Sequence, residues 1–327
     1  MPIQKGREIA ESLDPLSNWG QALLASSLLT ESEKRRLSAV LAIDSFAGDI
    51  RVLAEDDYPD SLAYASGVPP ALLYSGNREA FDQPMVAIVG TRSATSYGRV
   101  CARKFAEEFA RHGITVVSGG AVGIDAAAHE GTLAAGGSTI AVLACGVDHV
   151  YPSAHSGLFQ RMKERGLLLS QFAAGTKPAD YKFILRNHLI ACLSSAVVVI
   201  EAPLKSGAIR TAGFAAEQGR EVFVVPGPID QFGFQGSHSL IRDGATLLDH
   251  PMQVIESLGI EPRAVQPKAA VQGPAAKILS VLDANSMPVE KIVELTGMEM
   301  SEVLAELTIL ELEGRVIREH GGFAKAL

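Results

Sequence analysis

Four stretches of the 327-residue chain combine glycine, hydroxyl and cationic side chains in an order that favours an anion. The first runs Gly90-Thr91-Arg92-Ser93-Ala94-Thr95-Ser96-Tyr97-Gly98. Exposed N–H groups at a helix entrance attract negative charge, and Arg92 adds a full positive one. The second is Ser118-Gly119-Gly120-Ala121-Val122-Gly123-Ile124-Asp125, where Gly119, Gly120 and Gly123 allow backbone to approach a ligand closely. Asp125 is expected to cap the following helix, with His129 one turn on. The third is Lys182-Phe183-Ile184-Leu185-Arg186-Asn187-His188. It supplies an aromatic to stack a base and cations to hold a phosphate. The fourth, Lys205-Ser206-Gly207 with Thr211, again sits at a helix entrance, and the nearby Glu201 is expected to hold Lys205 or backbone amides.

Several chemistries are excluded by what is missing. The glycine spacing is neither GxGxxG nor a Gly-Lys-Ser/Thr phosphate loop, which disfavours a dinucleotide enzyme. Glu201 and Asp125 are isolated carboxylates, and no Ser/His/Asp order or nucleophile elbow is found, so no catalytic residue and no turnover are expected. Asp125 and His129 lack the further ligands a metal needs. Cys101, Cys145 and Cys192 lie far apart with no CxxC, which argues against zinc or a disulfide framework and for a reducing cytoplasm. No cofactor is implied. Neither a signal peptide nor an apolar run of ~18 residues is present, so no membrane partner is expected.

These loops need elements to position them. Apolar runs at Met85–Val89, Ile114–Val117, Thr139–Leu143, Leu167–Leu169, Ala196–Ile200 and Glu221–Val225 alternate with amphipathic stretches such as Gly98–His112 and Gly123–Ala135. Continuous apolar strands alternating with helices predict an α/β fold whose parallel sheet is covered on both faces. Ligands of such sheets sit beyond the carboxyl ends of the strands, where all four loops fall. Their convergence predicts one electropositive cleft.

Charge divides the chain in the same way. The whole sequence carries 29 Lys/Arg against 37 Asp/Glu, a formal net charge of −8, yet residues 82–250 hold 15 against 14. Binding of a polyanion by bulk charge is excluded, and a local basic site in the middle segment is not. Residues 1–57 read as a helical N-terminal segment, 58–250 as the α/β domain and 251–273 as a linker. Residues 274–327 read as three helices and a hairpin, the plan of a winged helix.

The middle segment, roughly 58–248, resembles the DprA/Smf family of bacterial DNA-processing proteins. The resemblance rests on VAIVGTRSATSYG (86–98), VVSGGAVGIDAAAH (116–129), GGSTIAVLACGVDHVYP (136–152), RNHLIACLS (186–194) and KSGAIRTAGFAAEQGREVFVVPG (205–227), in that order. It implies a Rossmann-like, doubly wound, mostly parallel sheet that binds single-stranded DNA and promotes RecA loading in transformation or recombination. Pairing as a homodimer through the same domain is also implied. By position, Arg92, Lys182, Phe183, Arg186, Asn187 and Lys205 would contact DNA, with Gly119 and Gly120 giving backbone approach. Ser206, Gly207 and Thr211 complete the candidate set.

Four positions depart from the family pattern: Val122 and His188 stand where arginine is usual, Gln171 where glutamate is, and His238 where asparagine is. Fewer fixed cations predict weaker binding and a shallower salt dependence. The N-terminal segment shows no helix-hairpin-helix glycine pattern. The last helix carries Glu302, Glu306, Glu311 and Glu313 and no Lys or Arg before Arg315, which suits a protein contact or a solvated acidic face better than a DNA groove. Two other functions compete with a DNA chaperone. A nucleotide sensor or phosphoribohydrolase-like enzyme on the same fold lacks its Pro-Gly-Gly-x-Gly-Thr-x-x-Glu signature here. A duplex-binding regulator would need that acidic helix to meet phosphates.

Overall fold

The computed structural model describes residues 50–54, 57–69, 71–262, 273–283, 286–312, 315–319 and 321–325. The helices expected before residue 50, and Glu313, lie outside the described residues. Nine strands form one sheet: β1 (Ile50–Ala54), β2 (Ala71–Gly76), β3 (Met85–Val89), β4 (Thr115–Ser118), β5 (Thr139–Leu143), β6 (Leu167–Ser170), β7 (Ala196–Val199), β8 (Glu221–Val224) and β9 (Thr246–Leu247). Their order is β1-β2-β6-β5-β4-β3-β7-β8-β9. From β6 to β9 every pairing is parallel, whereas β2 runs antiparallel to both β1 and β6. The chain winds outward from β3 to β6, then returns to place β7 on the other side of β3. That reversal opens a crevice at the carboxyl ends of β3 and β7, the place where such sheets hold ligands.

Burial on both faces explains why these strands read as unbroken apolar runs. Alternate residues of β3 enter different cores, Ala87 and Val89 one and Val86 and Ile88 the other. Helices α1 (Asp60–Ala63), α5 (Asp180–Leu193) and α6 (Gly207–Glu217) contribute to the first core. The second is covered by α2 (Ser96–Arg111) and α3 (Ile124–Ala134), with Phe105 and Phe109 of α2 packed edge to face. Helix α4 (Ser156–Arg165) packs Leu158, Phe159 and Met162 against β5 and β6. The remaining helices of this unit are α7 (Gln235–Arg242) and α8 (Met252–Ser257). Helix α8 falls inside the stretch expected to be linker, and its Val254 and Ile255 are fully buried in the second core.

Strands β1, β2 and β9 are absent from the sequence-based reading. Ala71–Tyr74 looked only like a short apolar stretch after two prolines, and a two-residue strand leaves no periodic signal. Strand β2 joins the main sheet through β6, which lies far along the chain, and no local pattern reveals that pairing.

The C-terminal residues form a winged helix: α9 (Pro274–Val281), α10 (Val289–Thr296), α11 (Met300–Leu312) and the hairpin β10 (Val316–Glu319) to β11 (Gly322–Lys325). Met287 pairs with Phe323 as a third short edge. Ile278, Ile292, Val303, Leu307, Leu310, Val316 and Phe323 form a core of their own.

Candidate nucleic-acid interface

The loop after β3 is pinned from below. Thr91 N–H donates to the Glu201 carbonyl at 2.8 Å. The buried Glu201 carboxylate accepts from Thr95 N–H at 2.9 Å and from the Thr95 hydroxyl at 2.8 Å. Glu201 thus holds backbone amide and hydroxyl of the neighbouring loop, and Lys205 remains exposed beyond it. Thr95 also caps α2 by accepting from Gly98 N–H at 3.0 Å. These bonds fix the loop while leaving Arg92 exposed at its tip.

The glycine loop after β4 is built differently from its sequence-based reading. Asp125 does not cap α3. Its carboxylate reaches back to accept from Gly119 N–H at 3.1 Å and Ala121 N–H at 3.3 Å, and Gly123 takes the cap position with φ of +86°. Two of the amides expected to face a ligand are therefore already engaged. A side chain at Gly119 would collide with the Arg186 guanidinium and the Asp125 carboxylate, and Gly120 packs under the Phe159 ring. The close approach these glycines permit is to the protein's own interior.

Arg186 explains that arrangement. It is 5% exposed, not a surface cation, and donates to the carbonyls of Gly119 and of Val142, the latter at 3.2 Å. Its Nε donates to Asn187 Oδ1 at 3.0 Å, and Asn187 Nδ2 donates to the Gly207 carbonyl at 3.2 Å. The pair ties the ends of β4 and β5 to the start of α6. Burial raises the Asp125 carboxyl above its ordinary value, opposed by the Arg186 charge and the loop amides. Thr211 is also buried, donating to the Gly207 carbonyl at 3.1 Å inside α6, and Ser206 caps that helix through Ile209 N–H. His129 donates through Nδ1 to Thr139 Oγ1 at 2.7 Å, since that hydroxyl itself donates to the Val116 carbonyl. Burial, reinforced by His155 and Arg186, pushes its pKa down to about 3 and keeps it neutral. Among the described residues no group of three metal-ligating side chains occurs.

The surface above this scaffold is aromatic and cationic. Phe183 lies in the first turn of α5 with the Arg92 guanidinium 4.8 Å from its ring centre and that of Arg186 at 5.8 Å. The exposed Tyr151 ring stands 6.0 Å from it, tilted by 54°. Lys182 Nζ donates to the Lys177 carbonyl at 2.6 Å and lies 5.5 Å from the Phe172 ring and 5.7 Å from that of Tyr181. Val122 is exposed on the rim. A cavity of about 60 Å³ lies between Arg92, Val122, Tyr151, Phe183 and Arg186. Small-molecule pockets are typically about 300–1,000 Å³, so this one cannot enclose a nucleotide. What the site offers is a half-buried aromatic cluster, Phe183 with Tyr151, flanked by cations at the carboxyl edge of the sheet.

Sequence reasoning missed Tyr151. It follows β5, so the strand-end rule that selected the other loops would have found it. Of the predicted residues, Arg92, Lys182, Phe183 and Lys205 sit at the surface of the carboxyl edge, while Arg186, Asn187, Thr211, Gly119 and Gly120 belong to the scaffold beneath.

Comparison with known proteins agrees with this architecture. Residues 49–259 match the family described as DNA recombination-mediator protein A. The chain belongs to that family. Residues 253–322 match the DprA winged helix domain. The chain is 36% identical over 279 residues to Protein Smf of Escherichia coli (strain K12), spanning 82% of this chain and 75% of that protein. It is 37% identical over 203 residues to DNA processing protein DprA of Streptococcus pneumoniae, covering 62% and 72% of the two chains. The crystal structure of the pneumococcal protein superposes with a TM-score of 0.67 and 32% identity over 78% of this chain and 91% of that one. DNA processing protein A from Helicobacter pylori, whose structure concerns its single-stranded DNA binding mode, superposes with a TM-score of 0.60 and 29% identity over 66% and 99%. No helix among the described residues is long and apolar enough to cross a membrane.

Proposed function

We propose that the chain binds single-stranded DNA along the carboxyl edge of its sheet and promotes RecA loading, as a cytoplasmic homodimer paired through the α/β domain and without catalytic turnover. The observation that carries this reading is the clustering of the Phe183 ring with the Arg92 guanidinium at 4.8 Å and the Tyr151 ring at 6.0 Å. A free base can stack there, which paired bases in a duplex cannot do without unpairing. Arg92, Lys182 and Lys205 supply phosphate contacts, and Arg186, Asn187, Ser206, Gly207 and Thr211 hold the loops that present them. The pneumococcal and Helicobacter relatives support the DNA-processing role, and the single-stranded DNA binding mode of the Helicobacter protein supports the choice of ligand. The small cavity disfavours a mononucleotide sensor.

The test is fluorescence anisotropy of labelled oligo-dT across a salt series, beside a duplex of equal length. Saturable single-strand binding that falls with salt and collapses in Arg92→Ala is expected. Equal affinity for duplex, or no binding at low salt, would overturn the reading. Nucleation of RecA on the same oligonucleotide, with and without the protein, then tests the loading step.

A further inference from the structure

Helix α11 occupies the place from which a winged helix usually enters the DNA major groove, yet its outer surface suits a different ligand. Val303, Leu307 and Leu310 point into the domain core and are buried. On the opposite side Ser301, Leu304, Ala305, Thr308 and Ile309 are all exposed, Leu304 by 44% and Ile309 by 49%. At 3.6 residues per turn these five share one face. Glu302 and Glu306 border it on one side and Glu311 on the other. Met300, at the first turn of α11, is exposed as well.

Leu304, Ala305 and Ile309 leave a strip of exposed apolar surface between acidic borders, and exposed apolar surface rimmed by polar residues marks an interaction site. Duplex DNA is the wrong cover. Met300–Leu312 contains no Lys or Arg, and its glutamates would face phosphates. A second copy of the same face would bring acidic rims of like sign together. The complementary surface is apolar at its centre and basic at its edges.

We propose that the outer face of α11 docks an amphipathic helix of a protein partner whose apolar stripe is flanked by lysine or arginine. Anchoring side chains would pack over Leu304, Ala305 and Ile309 while the flanking cations meet Glu302, Glu306 and Glu311, the helix-on-surface mode of recognition. The inference does not depend on DNA binding by the α/β domain.

A labelled 18-residue helical probe with a leucine stripe flanked by lysines, titrated against the full chain, tests it. Two control probes share the design, one with glutamates replacing the lysines and one with the same composition scrambled to break the stripe. Binding of the lysine-flanked probe is expected, weakened by about 10-fold or more in Leu304→Ser and Ile309→Ser, as for central interface anchors. The triple variant Glu302→Lys, Glu306→Lys, Glu311→Lys should reverse the preference toward the glutamate-flanked probe. Equal binding of the scrambled probe, or indifference to both serine variants, overturns the proposal. So does sedimentation showing self-association that Leu304→Ser abolishes, or duplex binding that it abolishes. Circular dichroism of the variants checks that these surface changes leave the fold intact.

Discussion

Phe183 and Arg92 touch each other yet do separable work, and the separation is measurable. Stacking on an aromatic contributes about 1–3 kcal/mol per base and does not depend on salt, whereas each phosphate contact to a single strand adds about 0.7 to the slope of log K against log salt. Phe183→Ala should therefore weaken oligo-dT binding about 5- to 150-fold with the slope unchanged. Arg92→Ala should lower the slope by about 0.7, and its defect should shrink as salt rises. Arg186 sits only 5.8 Å from the same ring but answers a different question. Its chemical type is legible in the sequence, and its burial follows from its position on the helix. The signal was present: Arg186 precedes the buried Ile190 by four residues and Leu193 by seven, which places it on the inner face of α5. His129 carries a pH prediction of its own. Its folded pKa is about 3 against an ordinary value of 6.5, so only the unfolded chain takes up the proton as pH falls through that window. Stability is intact above pH 6.5 and lost below it, by about 2 kcal/mol at pH 5, a drop of roughly 5 °C in melting temperature. His188, lowered in the same direction by burial, adds to the trend. Melting curves between pH 7.5 and 5 should show the fall, and His129→Asn, which keeps a donor near Thr139, should flatten it.

Among elements, the loops matter more than the strands that launch them. The parallel strands β3 to β8 were legible because burial on both faces writes an apolar run into each. The loops were legible as glycine-rich and cationic, but not as an interlocked set. Asp125 under the β4–α3 loop bonds within its own loop, whereas Glu201 on the β3–α2 loop and Asn187 against α6 join segments 106 and 20 residues apart, and no local pattern encodes those two. Their effect is to commit most of the polar groups internally and leave a few cations outward. Val122 is the informative position. It is exposed at the rim of the Phe183 cluster, one residue before Gly123, so a longer side chain there reaches the site without disturbing the Asp125 bonds. Val122→Arg should raise affinity for oligo-dT at low salt and steepen the salt slope by about 0.7, one added phosphate contact. An anisotropy series at four salt concentrations resolves that change. An unaltered slope would mean that the backbone of the strand does not pass the rim at Val122.

For the whole molecule, the distribution of apolar side chains predicts how the two functions are carried. The cores of the α/β unit draw on residues from Leu53 to Ile255, and the winged-helix core on Ile278 to Phe323, with no residue common to both. Cooperative unfolding follows shared cores, so two transitions are expected in calorimetry, a larger one for the nine-stranded unit and a smaller one for the winged helix. A ligand stabilises only what it binds, by about 2.7 kcal/mol at a free concentration 100 times its Kd. Saturating oligo-dT should therefore raise the larger transition and leave the smaller one in place. The lysine-flanked helical probe should do the reverse. At the same ligand concentrations Leu304→Ser should shrink the second shift and spare the first, and Arg92→Ala should do the opposite. If oligo-dT moved both transitions together, the winged helix would share the DNA, and its acidic helix would have to be turned away from the strand it helps to hold.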